Sequence, residues 1–209
     1  LPEPHRIRFV AARGPFTIAT HLFGATSFLT ALAGERSEAR IAADVLEILT
    51  ETTIHFLQAQ LGCLREPWGM MLLDDTVGML SPGLFNAVAR PLLERIFATF
   101  DGLIRIYHND TPCEHLLPHF PGLGFEVFHF SHRVPIAEAR ALLGPDIVLM
   151  GNVPPLEVMV HGTPQQVAEA ARDCIIQADG TGLILAPGGG TNAGTPAHNI
   201  DALVSAALY

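Results

Sequence analysis

The chain has 209 residues, of which 49% are hydrophobic and 16% are charged, so it can bury a sizeable core and is not a disordered protein. Its formal net charge of −9 argues against a protein that tracks nucleic-acid phosphates. All twelve basic residues are arginine, and the absence of lysine excludes Schiff-base and P-loop lysine chemistry.

The three cysteines, Cys63, Cys113 and Cys174, are far apart and odd in number, which excludes a disulfide framework and favours a reduced, cytoplasmic protein. Charges or prolines interrupt every apolar run before it is long enough to span a bilayer. The mean hydropathy of +0.33 therefore predicts a buried core and, in addition, a surface for homo-oligomer formation.

In chain order, the first half of the sequence predicts a strand at 6–11, a long helix at 42–61, a strand at 69–73, a helix at 84–100 and a strand at 103–107. Ser81 and Pro82 are typical of a helix start, with Ser81 as the N-cap. One broad apolar face of the long helix is predicted to be its buried side. This face comprises Val45, Leu46, Ile48, Leu49, Thr52, Phe56 and Leu57.

The second half predicts a strand at 126–130, a helix at 135–143, a strand at 146–150, a helix at 165–177, a strand at 182–186 and a terminal helix that ends at Leu208. Thr163 and Pro164 are predicted to cap the first long helix of this half, and Thr195 and Pro196 the terminal helix.

The six short strands are almost continuously apolar, and nearly all are followed by a helix, which predicts an α/β fold with a parallel sheet buried on both faces. Two architectures fit this alternation, an open doubly wound sheet and a TIM (β/α)8 barrel. In both, ligands bind at the carboxyl ends of the strands. No repeat or linker divides the chain, so we expect a single domain over residues 1–209.

Polar side chains follow these strands. Asp74 and Asp75 end the second predicted strand and are typical either of a solvated turn or of a carboxylate that orients a substrate. His108 and Asp110 end the third and suit a turn, a metal site or an acid–base pair. Two ligands alone do not define a metal site.

Histidine and glycine mark two later strand ends. His129 alternates with phenylalanines and is predicted to be a core residue, whereas the role of His132, next to Ser131, stays open. The glycines at 188–190 could cradle an anion with backbone N–H groups, or form a loop where backbones approach closely. Cys113 is expected to be structural.

The strand-end segments together resemble the uroporphyrinogen decarboxylase superfamily. They are GPFTIA at 14–19, DD at 74–75 with LSPGLF at 80–85, HND at 108–110, GNVPP at 151–155, HGTP at 161–164, LAPGGG at 185–190 and GTP at 194–196 with NI at 199–200. The resemblance implies a TIM barrel. It also implies one of three activities, namely porphyrinogen decarboxylation, zinc-dependent methyl transfer to a thiol or corrinoid-linked demethylation.

The two main branches differ at several of these positions. The decarboxylase pattern has a tyrosine where His21 stands and a histidine-bearing N-L-G-H-G stretch where residues 186–190 read APGGG. The methyltransferase branch has H-x-C where His108 is followed by Asp110, and P-G-C where Gly189 takes the second cysteine's place. The PGGGTNAGTP stretch at 187–196 is more similar to the methyltransferase branch.

The resemblance thus implies a methyltransferase or demethylase that moves a methyl group between a small substrate and a corrinoid, methylcobalamin, with a corrinoid protein as an expected partner. Zinc is the metal of that branch, and His108 and Asp110 are the residues here that would hold a metal. The expected catalytic residues are His108, Asp110, Asp74, Asp75 and His21, and the expected substrate-binding residues are Phe16, Ser131, Asn152, Gly188 and Gly189.

Two alternatives stay open. Cofactor-free decarboxylation of uroporphyrinogen requires several cations for its acetates and propionates, and only Arg13 and Arg133 lie at strand ends. A barrel that binds a corrinoid or tetrapyrrole without catalysis would explain the missing thiolates.

A (β/α)8 barrel typically needs roughly 250 residues. In the superfamily, the segment at 14–17 follows the third strand, so the first two β/α units would precede Leu1. We therefore expect six of the eight units here, as the C-terminal part of a longer protein or as a chain that pairs with another.

Overall fold

The computed structural model describes residues 7–208, in which six strands alternate with helices. The strands are β1 (Phe9–Arg13), β2 (Gly69–Leu73), β3 (Ile104–Asn109), β4 (Val127–Phe130), β5 (Val148–Val153) and β6 (Leu183–Pro187). The α-helices are α1 (Pro15–Phe23), α2 (Ala25–Leu32), α3 (Arg36–Cys63), α4 (Pro82–Leu84), α5 (Arg90–Thr99), α6 (Ile136–Leu143), α7 (Pro164–Gln177) and α8 (Ala197–Ala206).

Shorter helical turns complete the path. Asp75–Met79 and Glu114–His119 form 3-10 helices, and Phe85–Ala89 and Pro155–Val160 form π-helical turns. None of the helices within residues 7–208 combines the length and apolar character needed to cross a bilayer.

The described chain divides into two compact units. The first comprises residues 7–108 with 122–125, and the second comprises 109–121 with 126–208. The expectation of a single domain over residues 1–209 stays a prediction.

In the first unit, β2 pairs in parallel with both β1 and β3. The register places Leu73 beside Arg13 on one side and beside His108 on the other. The carboxyl ends of the three strands therefore lie next to one another, so the loops that follow them start from one edge of this sheet.

In the second unit, β5 pairs in parallel with both β4 and β6. Asn152 lies beside Ala186, and Val153 beside Pro187. Parallel strands separated by helices are thus present in both units, which confirms the α/β class that the apolar strand runs predicted.

Most predicted elements are present with shifted ends. The helix predicted at 42–61 begins earlier, at Arg36, and the one predicted at 84–100 is interrupted by the π-helical turn. Ser81 and Thr163 are N-caps as expected, since their side chains accept hydrogen bonds from Leu84 N and Gln166 N. The predicted Thr195 cap is wrong, because Pro196 is the N-cap and the Thr195 hydroxyl donates to the Asn192 carbonyl.

The predicted buried face of α3 is partly wrong. Leu46 and Leu57 are fully buried as expected, but the side chains of Ile48 and Phe56 are 66% and 56% exposed. The buried residues of α3 are instead Ala42, Leu46, Thr50, Thr53, Ile54 and Leu57. Apolar residues occupy two adjacent sides of this helix, and spacing alone does not tell which side meets the sheet.

A buried carboxylate joins the end of β2 to the start of α1. Asp74 Oδ1 accepts a hydrogen bond from Thr17 N at 2.7 Å, and Oδ2 accepts one from Phe16 N at 3.2 Å. These two amides lie in the first turn of α1, where backbone N–H groups have no partner within the helix. Asp74 therefore completes a helix start that no local side chain caps.

The space for this carboxylate depends on Gly14, because a Cβ there would collide with the Asp74 side chain. The Asp74 backbone N–H donates to the His108 carbonyl at 3.1 Å, which extends the pairing of β2 and β3. Asp74 is fully buried, and this burial raises the pKa of its carboxyl to about 7, although the amides of Thr17 and Phe16 favour the charged form.

We expect Leu46→Ala to lower the free energy of unfolding by about 2–5 kcal/mol, because it leaves a cavity in the core. Ile48→Ala, two residues away on the exposed side, should change it by no more than about 0.5 kcal/mol. Urea unfolding of both variants measures the difference. Equal losses would show that Ile48 also faces the core.

The stability contributed by Asp74 should depend on pH. Its pKa in the folded chain, about 7, lies above its unfolded value of ~3.9, so its contribution is fully present below the unfolded value and is lost as the pH rises through 7. The free energy of unfolding of the wild type minus that of Asp74→Asn should therefore be about 2–3 kcal/mol larger at pH 5 than at pH 8. Urea unfolding at several pH values tests this, and a pH-independent difference would contradict it.

Candidate active site

In the first unit, the Asp75 carboxylate lies between a histidine and an arginine at the ends of the strands. Asp75 Oδ1 is 3.4 Å from His108 Nε2, and Oδ2 accepts a hydrogen bond from the Arg13 guanidinium at 3.2 Å. The side chain of His108 is 8% exposed and that of Arg13 is 54% exposed. A carboxylate in this position can accept a hydrogen bond from the imidazole and so fix its orientation.

The two adjacent aspartates have different surroundings. Asp74 is buried and accepts the amides at the start of α1, whereas Asp75 begins a 3-10 helix and pairs with His108. The sequence predicted a role for both. The contacts place Asp74 at the start of α1 and Asp75 beside His108 and Arg13, and the catalytic role of each stays a prediction.

Two other expected residues of this unit have different positions. His21 lies in the last turn of α1 and is exposed, while the side chain of Phe16 is completely buried. Phe16 contributes to the core, and its backbone N–H donates a hydrogen bond to Asp74 Oδ2. The catalytic role of His21 and the substrate contact of Phe16 stay predictions.

In the second unit, Asn152 holds the turn that follows β4. Its Nδ2 donates to the carbonyls of Ser131 at 3.2 Å and of Val134 at 2.7 Å, and its Oδ1 accepts a weak bond from Cys174 Sγ at 3.8 Å. Burial raises the pKa of the Cys174 thiol. Asn152, expected to bind substrate, is therefore engaged on both sides of its amide by the protein.

In the glycine-rich loop after β6, the first two backbone N–H groups are already hydrogen-bonded within the protein. Gly188 N donates to the Val153 carbonyl at 2.8 Å, and Gly189 N donates to the Pro187 carbonyl at 3.0 Å. This result supports the other interpretation, in which backbones approach closely. A Cβ on Gly188 would collide with His132.

Asp110 and Gly189 are neighbours within the second unit. A Cβ on Gly189 would lie 2.8 Å from Asp110 Oδ2. The backbone φ of Gly189, +124°, is one that residues with a side chain rarely adopt. The resemblance places cysteines at these two positions, and here a carboxylate fills the space beside a residue without a side chain.

The thiolate zinc centre of the methyltransferase branch therefore does not fit these residues. Position 110 supplies a hard carboxylate oxygen and position 189 supplies no ligand, whereas such a centre requires thiolates. Asp75 and His108 do present an oxygen and a nitrogen 3.4 Å apart. Metal binding by His108 and Asp110 stays a prediction.

Two histidines of the second unit lie near β6, and the sequence assigned a role to only one of them, His129. His129 Nε2 is 3.0 Å from the Pro187 carbonyl, which fits the expected structural role. His132 lies against Gly188, and the only sequence signal for it was its place directly after a polar strand end.

Comparison with known proteins gives relatives of two activities. The chain is 30% identical over 206 residues to "Uroporphyrinogen decarboxylase" from Thermus thermophilus, covering 96% of this chain and 58% of the relative. It is 26% identical over 197 residues to "Methylated-thiol--coenzyme M methyltransferase" from Methanosarcina mazei, covering 92% and 50%. Both relatives are enzymes.

Among solved structures, a methyltransferase from Methanosarcina mazei matches with a TM-score of 0.82 at 21% identity, over 95% of this chain and 57% of that one. The match confirms the predicted fold, an α/β chain that corresponds to part of a TIM-type barrel. The chain spans about half the length of the curated relatives it matches.

The family model that matches, uroporphyrinogen decarboxylase (URO-D), covers residues 8–208. This span includes every strand end described above and all the residues expected to act there. The chain therefore belongs to the uroporphyrinogen decarboxylase family.

Proposed function

We propose that this chain is part of an enzyme that moves a methyl group between a small substrate and a corrinoid such as methylcobalamin. The observation that carries the proposal is the acidic character of the strand ends. Asp75 is paired with His108 in the first unit, and Asp110 fills the space beside Gly189 in the second.

Charge separates this reaction from decarboxylation of a porphyrinogen. Uroporphyrinogen carries four acetates and four propionates, and their binding calls for several guanidinium groups. Of the two arginines at strand ends, Arg13 is already paired with Asp75, and Arg133 is exposed. A small substrate without several carboxylates suits these surroundings better.

In this proposal, His108 is the residue that polarises the substrate or moves a proton. Its imidazole is nearly buried, and Asp75 Oδ1 lies 3.4 Å from Nε2, where it can accept a hydrogen bond from a proton on that nitrogen. A proton held there is suited to a heteroatom that loses its methyl group. The corrinoid, as co-substrate, supplies the cobalt that exchanges the methyl group.

The two changed cysteine positions affect the acceptor. The curated relative from Methanosarcina mazei is named for methylated thiols and coenzyme M. The methyltransferase branch that this sequence resembles activates a thiol on zinc. Without thiolates at 110 and 189, an acceptor that needs no such activation is proposed here. A corrinoid protein as partner, a homo-oligomer and a cytoplasmic location are further parts of the same proposal.

His108→Ala should lower the rate of methyl transfer with methylcobalamin by at least about 100-fold, because a positioned acid–base group contributes about this much. His55→Ala is a suitable control, since His55 is an exposed residue of α3. Methyl transfer is followed by the absorbance change of methylcobalamin with the protein at its full length. Unchanged turnover in His108→Ala would contradict the proposed role, and tight cobalamin binding without turnover would favour the non-catalytic barrel.

Uroporphyrinogen decarboxylation is the second candidate, because relatives of that name reach 32% identity, over 176 residues in Nocardia farcinica. Incubation with uroporphyrinogen and chromatography of the products test it. We expect no coproporphyrinogen, because the described strand ends carry few arginines that could bind the carboxylates of uroporphyrinogen. Accumulation of coproporphyrinogen that His108→Ala abolishes would establish the decarboxylase instead.

A further inference from the structure

His132 is held in place by the ends of two strands other than its own. It lies in the turn after β4, which closes by a bond from Val134 N to the Ser131 carbonyl at 3.1 Å. Asn152 of β5 donates to both of these residues' carbonyls. The turn is therefore fixed from within and from the neighbouring strand.

The end of β6 supports His132 from another side. The position of a Cβ on Gly188 is 2.8 Å from His132 Cβ and 2.9 Å from its Cα, so the backbone of the loop packs directly on this residue. Gly188 is itself fixed by its bond to the Val153 carbonyl. Only glycine permits this approach.

The His132 ring has one nitrogen that the protein encloses without a hydrogen bond. Its Nδ1 is buried, and no residue among those described offers it a hydrogen bond. The residue as a whole is partly exposed, so its accessible surface belongs to atoms other than Nδ1. A buried N–H without an acceptor is rarer and less favourable than a buried lone pair without a donor. The neutral ring should therefore carry its proton on Nε2.

We propose that His132 is a further ligand-binding residue, held as the Nε2–H tautomer so that it donates a hydrogen bond to a neutral oxygen acceptor of the ligand. The oxygen is of the amide-carbonyl or ether type. The proposal deepens the proposed function and rests on it for the identity of the ligand, but its structural part does not depend on methyl transfer.

The preference for a neutral acceptor follows from the neighbouring charge. Gly189, the residue after the glycine that packs on His132, lies beside the Asp110 carboxylate. A carboxylate ligand here would meet a like charge, whereas an amide or ether oxygen would not. The amide side chains of a corrinoid are acceptors of this kind, and the side chains of uroporphyrin are carboxylates.

The tautomer is measurable without a ligand. The measurement is a 1H–15N correlation spectrum, based on two-bond couplings, of the protein with 15N-labelled histidine. The signal of His132 is assigned by its loss in His132→Gln. It should show a neutral ring protonated at Nε2 and not at Nδ1. A ring protonated at Nδ1 would overturn the proposal.

A matched pair of substitutions tests the ligand contact. In His132→Gln the amide nitrogen takes the place of Nε2, and in His132→Asn it takes the place of Nδ1. Calorimetric titration with methylcobalamin should show affinity within about three-fold of wild type for Gln and a loss of about ten-fold for Asn, the size of one hydrogen bond. Urea unfolding checks that both variants are folded.

The outcomes separate the two proposals. The ligand contact would be overturned if both variants bound methylcobalamin as tightly as the wild type does. It would also be overturned if the wild type bound neither methylcobalamin nor uroporphyrin. If uroporphyrin bound and only His132→Asn weakened its binding, His132 would still be a hydrogen-bond donor. That result would overturn the neutral acceptor and contradict the methyl-transfer function. A loss for Asn with methylcobalamin supports both.

Discussion

The first unit depends on one buried carboxylate. Asp74 follows β2 and accepts the two amides that open α1, so a strand end and a helix start separated by more than fifty residues are joined by two hydrogen bonds. The carboxylate gains bonds but loses hydration, and the balance raises its pKa to about 7. Because its own amide also bonds to the His108 carbonyl, the same residue ties the end of β2 to β3.

That constraint gives two adjacent aspartates different contacts. With Asp74 directed into the protein, Asp75 begins the next helical turn and reaches His108 and Arg13. In the second unit, Asn152 has the corresponding role, because its amide holds the turn that carries His132. In each unit a buried polar residue directs its hydrogen bonds to the backbone, and the residues proposed to act on the ligand lie next to it.

The alternation of apolar runs and helical patterns predicted all six strands, because strands buried on both faces have a distinctive composition. The helices α1 and α2 were missed, since both are short, and Gly24 with a φ of +82° separates them. The inward side of α3 was predicted in part only, because Ile48 and Phe56 belong to an apolar side that the described residues leave exposed. Amphipathic spacing shows that a helix has apolar sides and not which partner each one meets.

The sequence by itself determined the fold class, the family and the residue types at the strand ends, because these depend on local periodicity and on short segments read in order. Only the tertiary structure decided what each residue contacts: that Asp74 caps a helix while Asp75 pairs with His108, and that the amides of Gly188 and Gly189 are already hydrogen-bonded. It also brought Asp110 beside Gly189 and His132 against Gly188. Most of these relations join residues far apart in the chain, and hydrogen-bond partners at such separations are selected by packing, which no local pattern encodes.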